Sequence, residues 1–108
     1  MKFSERCYSL LSRVPRGKVT TYKEIANALK SRAYRAVGKA MKENKNAPRI
    51  PCHRVVRSNG EIGGYMGSDK DNMKKKIELL RTESVEIKDN RIELEKYLYK
   101  FTIYRDLC

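Results

Sequence analysis

Hydrophobic positions near the start of the chain recur at steps of three and four residues. This spacing predicts a first helix with one apolar face, and a Pro-Arg-Gly run at 15–17 predicts the turn that ends it. The apolar face consists of Phe3, Cys7, Leu10, Leu11 and Val14.

Two shorter helices are predicted next. Thr21 and Glu24 have the spacing of a capping box, in which the threonine oxygen accepts a hydrogen bond from the third helical amide. After a break near residues 30–31, a third helix is predicted over residues 32–42, and two short helices joined by a tight turn are typical of a helix-turn-helix. Opposite its small apolar residues, this third helix carries a basic stripe formed by Arg32, Arg35, Lys39 and Lys42.

The second half of the chain predicts short hairpins around one helix. Residues 55–57 and 61–62 flank Asn59-Gly60, a pair that suits a two-residue hairpin turn, and a hairpin after a helix-turn-helix is a wing. A helix is predicted over 71–81 and a second hairpin around Asp89-Asn90, whereas 95–104 fits either class of element. We therefore predict a mainly α (α+β) fold, a winged helix-turn-helix-like domain with short β-hairpins.

Composition limits the size and class of the protein. The chain has 108 residues, 40% hydrophobic and 35% charged, which predicts one globular domain over 1–108 with residues 88–108 as a C-terminal extension. No apolar run approaches the length of a membrane span, and the N-terminus lacks the apolar region of a signal peptide. We therefore expect an intracellular protein.

The charge balance is strongly basic. Twenty-five Lys and Arg face 13 Asp and Glu, which gives a formal net charge of +12 at pH 7. Such an excess favours nucleic acid as the partner, although a solvated basic surface without a ligand has the same composition.

The three cysteines predict neither a disulfide framework nor a zinc site. Their number is odd, their spacing is wide and no Cys-x-x-Cys pair occurs, so we expect no metal and no cofactor. Cys7 lies on the apolar helix face and is predicted to be core, and Cys108 is the last residue. By elimination, Cys52 is the candidate for a reactive thiol.

Cys52 directly precedes His53, the only histidine of the chain, and follows Pro51 at the end of an apolar strand-like run. A neighbouring imidazole can take the thiol proton, directly or through a water, and leave a nucleophilic thiolate. Adjacent side chains often diverge, however, so a buried structural cysteine beside a surface histidine fits the same pair.

Several motifs now occur in one order along roughly residues 3–87. They are Gly17-Lys18-Val19-Thr20-Thr21-Tyr22, Arg35-Ala36-Val37-Gly38, Asn44, Ile50-Pro51-Cys52-His53-Arg54-Val55-Val56, Gly63-Gly64-Tyr65, and Leu79-Leu80 running to Glu83. With these motifs the chain resembles the DNA-binding, active-site domain of the O6-alkylguanine-DNA alkyltransferases (methylated-DNA–protein-cysteine methyltransferases). The Pro-Cys-His-Arg-Val run is the most specific part of the resemblance.

The resemblance implies catalytic roles at the matching positions. Cys52 would accept the alkyl group, His53 would deprotonate it through a bound water, and Glu83 would hold the imidazole by its other nitrogen. Asn44 would brace the turn that carries Cys52. Tyr22 would help to rotate the phosphate of the target nucleotide and would protonate the leaving guanine.

The resemblance also implies how DNA is held. The expected partner is double-stranded DNA containing O6-alkylguanine, bound by a monomer, with Arg35 filling the gap left by the extruded base. Together with the basic stripe, the predicted DNA contacts are Tyr22, Lys23, Ser31, Arg32, Arg35, Lys39 and Ser58. The predicted base pocket is lined by Cys52, the backbone near Val55, and Tyr65, Met66 and Gly67.

The chain departs from the family pattern in three ways. We expect it to lack the N-terminal domain that family members usually carry. The short alkyltransferase-like relatives replace the reactive cysteine, whereas this chain keeps Cys52. The stretch from Tyr65 to Glu83 is longer than is usual in the family, and the extra length is expected in a loop at 69–72.

Three functions remain open on this basis. The first is single-turnover DNA repair, in which an alkyl group moves from guanine O6 to Cys52. The second is a lesion-binding module that flips the base without transfer and recruits other repair factors. The third is a sequence-specific winged-helix regulator in which Cys52 is structural or senses alkylation.

Overall fold

The computed structural model describes residues 2–63 and 70–101 of the protein. Helices predominate, and two very short strands pair with each other, which confirms the predicted mainly helical class. In chain order the elements are α1 (Phe3–Leu11), β1 (Thr20–Thr21), α2 (Tyr22–Ala28), α3 (Tyr34–Lys42), a 3-10 turn (Cys52–Arg54), β2 (Val55–Val56), α4 (Lys70–Thr82) and α5 (Leu94–Tyr97).

Helices α2 and α3 form the predicted helix-turn-helix. Thr21 caps α2, since its hydroxyl accepts a hydrogen bond from the Glu24 amide at 3.0 Å. Lys30 ends the helix in a left-handed conformation, with φ of 55°, and the Ser31 amide donates back to the Ala26 carbonyl. This is the hydrogen-bond pattern of a Schellman motif, and it turns the chain sharply towards α3.

The third helix begins later than predicted. It starts at Tyr34 rather than at residue 32, so Arg32 and Ala33 precede it and are exposed. The cause is local, because the Ser31 hydroxyl accepts the Ala33 amide at 3.0 Å and this bond competes with helix formation. The rest of the basic stripe, Arg35, Lys39 and Lys42, lies exposed on α3 as predicted.

Two core clusters meet at the two-stranded sheet. Strands β1 and β2 are parallel, with Thr20 opposite Val55 and Thr21 opposite Val56. Val55 belongs to the cluster packed between α1, α2 and α3, whereas Val56 belongs to a second cluster formed with α4 and the C-terminal segment. The strand β2 therefore joins the helix-turn-helix to the C-terminal half.

The predicted wing is a turn and not a two-residue hairpin. The Arg57 amide donates to the Glu61 carbonyl at 2.9 Å, and Gly60, with φ of 92°, is the residue of the Asn-Gly pair with positive φ. Glu61 forms a bridge with Arg91, and the Ile92 amide donates to Gly60. The C-terminal segment thus supports this wing turn, a partner that pattern reading along 55–62 did not reveal.

The second predicted hairpin is reduced to one bridge between Lys88 and Arg91. Asp89 and Asn90 both have positive φ, as a tight two-residue turn requires. The ambiguous segment that follows contains the short helix α5, after which Leu98 bridges Val19.

Helix α4 covers the predicted range 71–81 and begins at Lys70. Residues 70–72 are therefore helical, and the expectation of a loop at these positions is wrong. None of the helices within 2–63 and 70–101 has the length and apolar content needed to cross a bilayer.

Candidate active site and DNA interface

Cys52 lies at the start of the 3-10 turn between the core and β2, and only 3% of its surface is exposed. Pro51, with φ of −81° and ψ of 66°, forms an inverse γ-turn in which the Cys52 amide donates to the Ile50 carbonyl at 2.8 Å. The predicted strand-like segment is therefore a tight turn, because local backbone bonds decide its shape.

Asn44 supports this turn from the C-terminal end of α3. It is fully buried, its Nδ2 donates to the Ile50 carbonyl at 2.8 Å, and its Oδ1 accepts the Asn46 amide at 3.0 Å. The Ile50 carbonyl thus accepts hydrogen bonds from both Asn44 and Cys52. The position of the sulfur depends on the Asn44 amide through this shared acceptor.

His53 and Glu83 are hydrogen-bonded in the interior. The distance between His53 Nε2 and Glu83 Oε2 is 3.0 Å, and both side chains are buried. Glu83 is placed by the end of α4, where Ser84 is left-handed and the Val85 amide donates to the Leu80 carbonyl. A helix terminus therefore directs this carboxylate at the imidazole.

Arg54 forms a bidentate ion pair with the same carboxylate. Its Nε donates to Glu83 Oε1 at 2.8 Å and its Nη2 to Oε2 at 2.7 Å, while Nη1 donates to the Val14 carbonyl at 2.7 Å. Burial alone would raise the pKa of Glu83, but the hydrogen bonds from Arg54 and His53 lower it below its ordinary value. Glu83 is therefore an anion.

An ionised Glu83 fixes the tautomer of His53. Burial lowers the pKa of His53, although the bond to Glu83 opposes that shift, so the ring is neutral near pH 7. Because a carboxylate only accepts, Nε2 carries the ring proton and Nδ1 is the basic nitrogen. The ring is thus prepared to take a proton at Nδ1.

Opposing influences act on the pKa of the Cys52 thiol. Burial raises its pKa above the ordinary value, whereas a hydrogen bond from Asn44 and the nearby charge of Lys76 lower it. Because these last two contributions act on the anion, they stabilise the thiolate form.

Lys76 is fully buried on the inner face of α4. Its Nζ donates to the Val55 carbonyl at 2.7 Å and to the Ile62 carbonyl at 2.5 Å. Burial lowers the pKa of Lys76 to about 7, although the proximity of Cys52 favours its charged form. A buried lysine whose charged form is favoured by Cys52 therefore lies near the candidate nucleophile.

Arg54 and Lys76, which lie around Cys52, His53 and Glu83, were not predicted as site residues. Lys76 falls between Met73 and Leu80 at helical spacing, so it lies on the inward face predicted for α4. The sequence did contain a signal for Lys76, namely a positively charged residue at a position that helical spacing places on the apolar face of α4. Arg54 was visible only as part of the Cys-His-Arg run.

A surface recess of about 490 Å³ opens between α2, α3 and the wing turn. It brings together three predicted DNA contacts, Tyr22, Lys23 and Ser58, with residues that were not predicted. Burial raises the pKa of Tyr22, and the proximity of Cys52 adds to the shift, so its phenol stays protonated. Among the described residues, the lining consists of Tyr22, Lys23, Tyr34, Arg57, Ser58 and Asn59.

The remaining predicted site residues are more scattered. Arg35 and Lys39 project from α3 outside this lining, Arg32 is exposed before the helix, and the half-buried Ser31 binds the Ala33 amide. The Val55 side chain is fully buried in the core, and its carbonyl binds Lys76. The other predicted pocket residues, Tyr65, Met66 and Gly67, lie outside the described residues.

Across the described ranges, no group of three or more His, Cys, Asp or Glu side chains is arranged to hold a metal ion. The two described cysteines, Cys7 and Cys52, are free thiols. The fold and the site together define a helix-turn-helix-like domain in which a buried cysteine directly precedes a histidine that is hydrogen-bonded to a buried glutamate.

Comparison with known proteins identifies the family of this domain. Residues 2–85 match the model described as "6-O-methylguanine DNA methyltransferase, DNA binding domain". The match extends over most of the 108 residues. The chain therefore belongs to this family of DNA-binding domains.

Two curated relatives illustrate the match. The chain is 45% identical over 103 residues to a methylated-DNA–protein-cysteine methyltransferase of Candida glabrata, covering 87% of this chain and 48% of that protein. It is 42% identical over 94 residues to a bifunctional methyltransferase/endonuclease of Picrophilus torridus, covering 85% of this chain and 30% of that protein. The chain thus spans less than half the length of either relative.

Two solved structures share the fold. Schizosaccharomyces pombe Atl1, in complex with damaged DNA containing O6-carboxymethylguanine, aligns with a TM-score of 0.81 at 30% identity, covering 94% of this chain and all of that one. Mycobacterium tuberculosis OGT in complex with DNA aligns with a TM-score of 0.69 at 36% identity, covering 77% of this chain and 50% of that one. The helix-turn-helix-like architecture is therefore shared with structures determined on DNA.

Proposed function

We propose that this domain is the active-site part of a DNA alkyltransferase and that Cys52 accepts an alkyl group from O6 of guanine. The observation that carries the proposal is the 3.0 Å bond between His53 and the anionic Glu83, next to a buried thiol. A thiol, a neutral imidazole and an orienting carboxylate are the parts of an activated nucleophile. Membership of a DNA-binding family supports DNA as the substrate.

The proposed transfer is a displacement at the alkyl carbon. His53 Nδ1 takes the Cys52 proton through a water, and the thiolate forms a carbon–sulfur bond as the carbon–O6 bond breaks. The electron pair stays on the guanine, which takes a proton from the Tyr22 phenol. The product is a thioether that no thiol exchange reverses, so each molecule acts once.

Asn44 and Lys76 would raise the fraction of Cys52 that is present as the reactive thiolate. The hydrogen bond from Asn44 and the positive charge of Lys76 both favour the anion over the thiol. They are held by the Ile50, Val55 and Ile62 carbonyls, so they need little rearrangement when charge develops.

The basic face would hold the duplex while the base leaves the stack. An alkyl group on O6 is buried in DNA, so the base must be extruded at a cost of about a few kcal/mol. We propose that Arg35 fills the gap left by the extruded base and that Tyr22 contacts the phosphate that rotates with it. Phosphate or sugar contacts are assigned to Lys23, Lys39 and Ser58. Arg32 and Ser31, near the start of α3, complete this DNA-contacting set.

Part of the proposed base pocket consists of residues outside the described ranges. We assign Tyr65, Met66 and Gly67 to the base pocket, beside Cys52 and the Val55 backbone. Backbone amides that bind O6 in this pocket would make guanine a better leaving group. We further propose that the protein acts as a monomer on double-stranded DNA inside the cell.

Lesion binding without transfer is the second candidate function. The structural similarity to Atl1, which covers all of that chain and was observed on damaged DNA, favours it. The presence of Cys52 with its base and its orienting carboxylate favours transfer.

One experiment distinguishes the two functions. The protein is incubated with a duplex containing O6-methylguanine, and its intact mass and peptide map are measured. Transfer adds one methyl group to Cys52. Unmodified protein that still selects the lesion duplex over undamaged DNA would establish lesion binding instead, and tight binding to one undamaged sequence would favour a regulator.

A further inference from the structure

Tyr34 is the single large hydrophobic side chain that the described part of the chain leaves exposed, with 44% of its surface accessible. It is the first residue of α3 and directly precedes Arg35. Exposed apolar residues are common on their own. What distinguishes Tyr34 is its position in the 490 Å³ recess between α2, α3 and the wing turn.

The recess has the chemistry of a nucleotide site. Tyr34 offers an aromatic ring, and the described lining also contains the cations Lys23 and Arg57 beside the short polar side chains of Ser58 and Asn59. Nucleobases stack on exposed aromatic rings irrespective of sequence, and phosphates pair with Lys and Arg. The volume falls in the range of small-molecule sites.

On a bound duplex, Tyr34 and Arg35 would contact different parts of the DNA. Consecutive helical residues point about 100° apart around the axis, and Arg35 is not part of the recess lining. If Arg35 enters the stack where the base has left, the ring of Tyr34 lies to one side of that gap, towards the wing turn.

We propose that Tyr34 stacks on the base next to the extruded nucleotide, on the same strand, and so acts as a binding residue for sequence context. The inference rests on the proposed function, because it needs a duplex opened by extrusion of one base. Extrusion uncovers the face of the neighbouring base, and the Tyr34 ring replaces the lost stacking partner. A purine neighbour offers more stacking area than a pyrimidine, so lesions beside a purine bind more tightly.

The test compares lesion duplexes with and without the neighbouring base. Each neighbour of O6-methylguanine is replaced in turn by an abasic site, and dissociation constants are measured for wild type, Tyr34→Ala and Tyr34→Phe. We expect Tyr34→Ala to weaken binding to the complete duplex about 5- to 150-fold, and Tyr34→Phe to bind like wild type. On one of the two abasic duplexes, wild type and Tyr34→Ala should bind equally.

Two results would overturn the inference. One is an equal affinity of Tyr34→Ala and wild type for the complete duplex. The other is the same loss on the complete duplex and on both abasic duplexes. Lys39→Ala is the control for phosphate contact, since it should weaken binding to all these duplexes alike.

A separate readout keeps the inference apart from the proposed transfer. Free O6-benzylguanine has no neighbouring base, so Tyr34→Ala should be alkylated by it at the wild-type rate. If wild type transfers nothing yet shows the neighbour dependence, transfer fails and stacking stands. Transfer without neighbour dependence overturns stacking alone.

Discussion

Cys7 and Cys52 are the same residue type, both buried and both in the first core cluster, yet their surroundings differ. Burial raises the pKa of Cys7 to about 11, and its side chain packs on the apolar face of α1. Burial also raises the pKa of Cys52, but Asn44 and Lys76 act in the opposite direction. Burial by itself makes a thiol inert, so the proposed reactivity of Cys52 depends on polar groups that the chain after α3 and helix α4 bring close to it.

The comparison predicts its largest effect when each cysteine is removed. Cys52→Ala should abolish methyl uptake from an O6-methylguanine duplex and keep lesion binding, because the nucleophile alone is lost. Cys7→Ala should keep methyl uptake. Intact mass after incubation measures uptake, and a methyl group found on Cys7 would contradict the assignment.

The next largest effect is expected from the base and its carboxylate. Glu83→Gln should slow transfer by about 10²- to 10⁴-fold, the usual contribution of a positioned general base, because the imidazole loses its anionic partner. Single-turnover rates on lesion duplex measure the change. Glu86→Gln removes an exposed carboxylate four residues beyond the end of α4 and is the matched control.

Thermal unfolding must accompany that measurement, since Arg54 also binds Glu83. A slow variant that melts like wild type supports a role in proton transfer. An unchanged rate in Glu83→Gln would show that the carboxylate is structural only.

A smaller effect is expected at Lys76. Lys76→Met removes the cation beside Cys52, so the pKa of the thiol should rise, and a rise of about one unit lowers the thiolate fraction about tenfold. The rate of Cys52 modification by iodoacetamide against pH measures this. Lys75→Met, which alters an exposed neighbour on the same helix, should leave the profile unchanged.

The smallest effect concerns stability against pH. The pKa of Cys7 rises from its ordinary value of 9.0 to about 11 in the folded protein. Between these values the folded state holds the proton and the unfolded state does not, so Cys7 contributes stability below about pH 9 that is lost by about pH 11. Urea unfolding of wild type and Cys7→Ala should therefore give a free-energy difference that narrows over this window, and a constant difference would contradict it.

Regular elements were predictable because their signals are local. The Thr21 cap, the break at Lys30 and the range of α4 follow from neighbouring residues, and the structure contains all three. The start of α3 was missed because one Ser31 hydroxyl bond outweighs helical periodicity. The wing turn was missed in part because its support comes from Arg91 and Ile92, far along the chain.

The sequence predicted which residues form the candidate site better than it predicted the charges around them. The resemblance implied Cys52, His53 and Glu83, and the structure brings the last two within 3.0 Å. The buried Lys76 was not anticipated because lysine is ordinarily read as solvent-facing. Its burial depends on the carbonyls of Val55 and Ile62, which only the folded chain brings together.

Helix α4 has a consequence for how chain length can vary. Lys76 lies on α4 and Glu83 directly follows the last residue of that helix, seven positions or about two helical turns later, so the helix places both groups on the same side. An insertion between them would rotate one group away from the other, whereas residues gained before Lys70 leave their spacing intact. We therefore expect insertions and deletions between relatives to lie before α4 and not between the positions of Lys76 and Glu83.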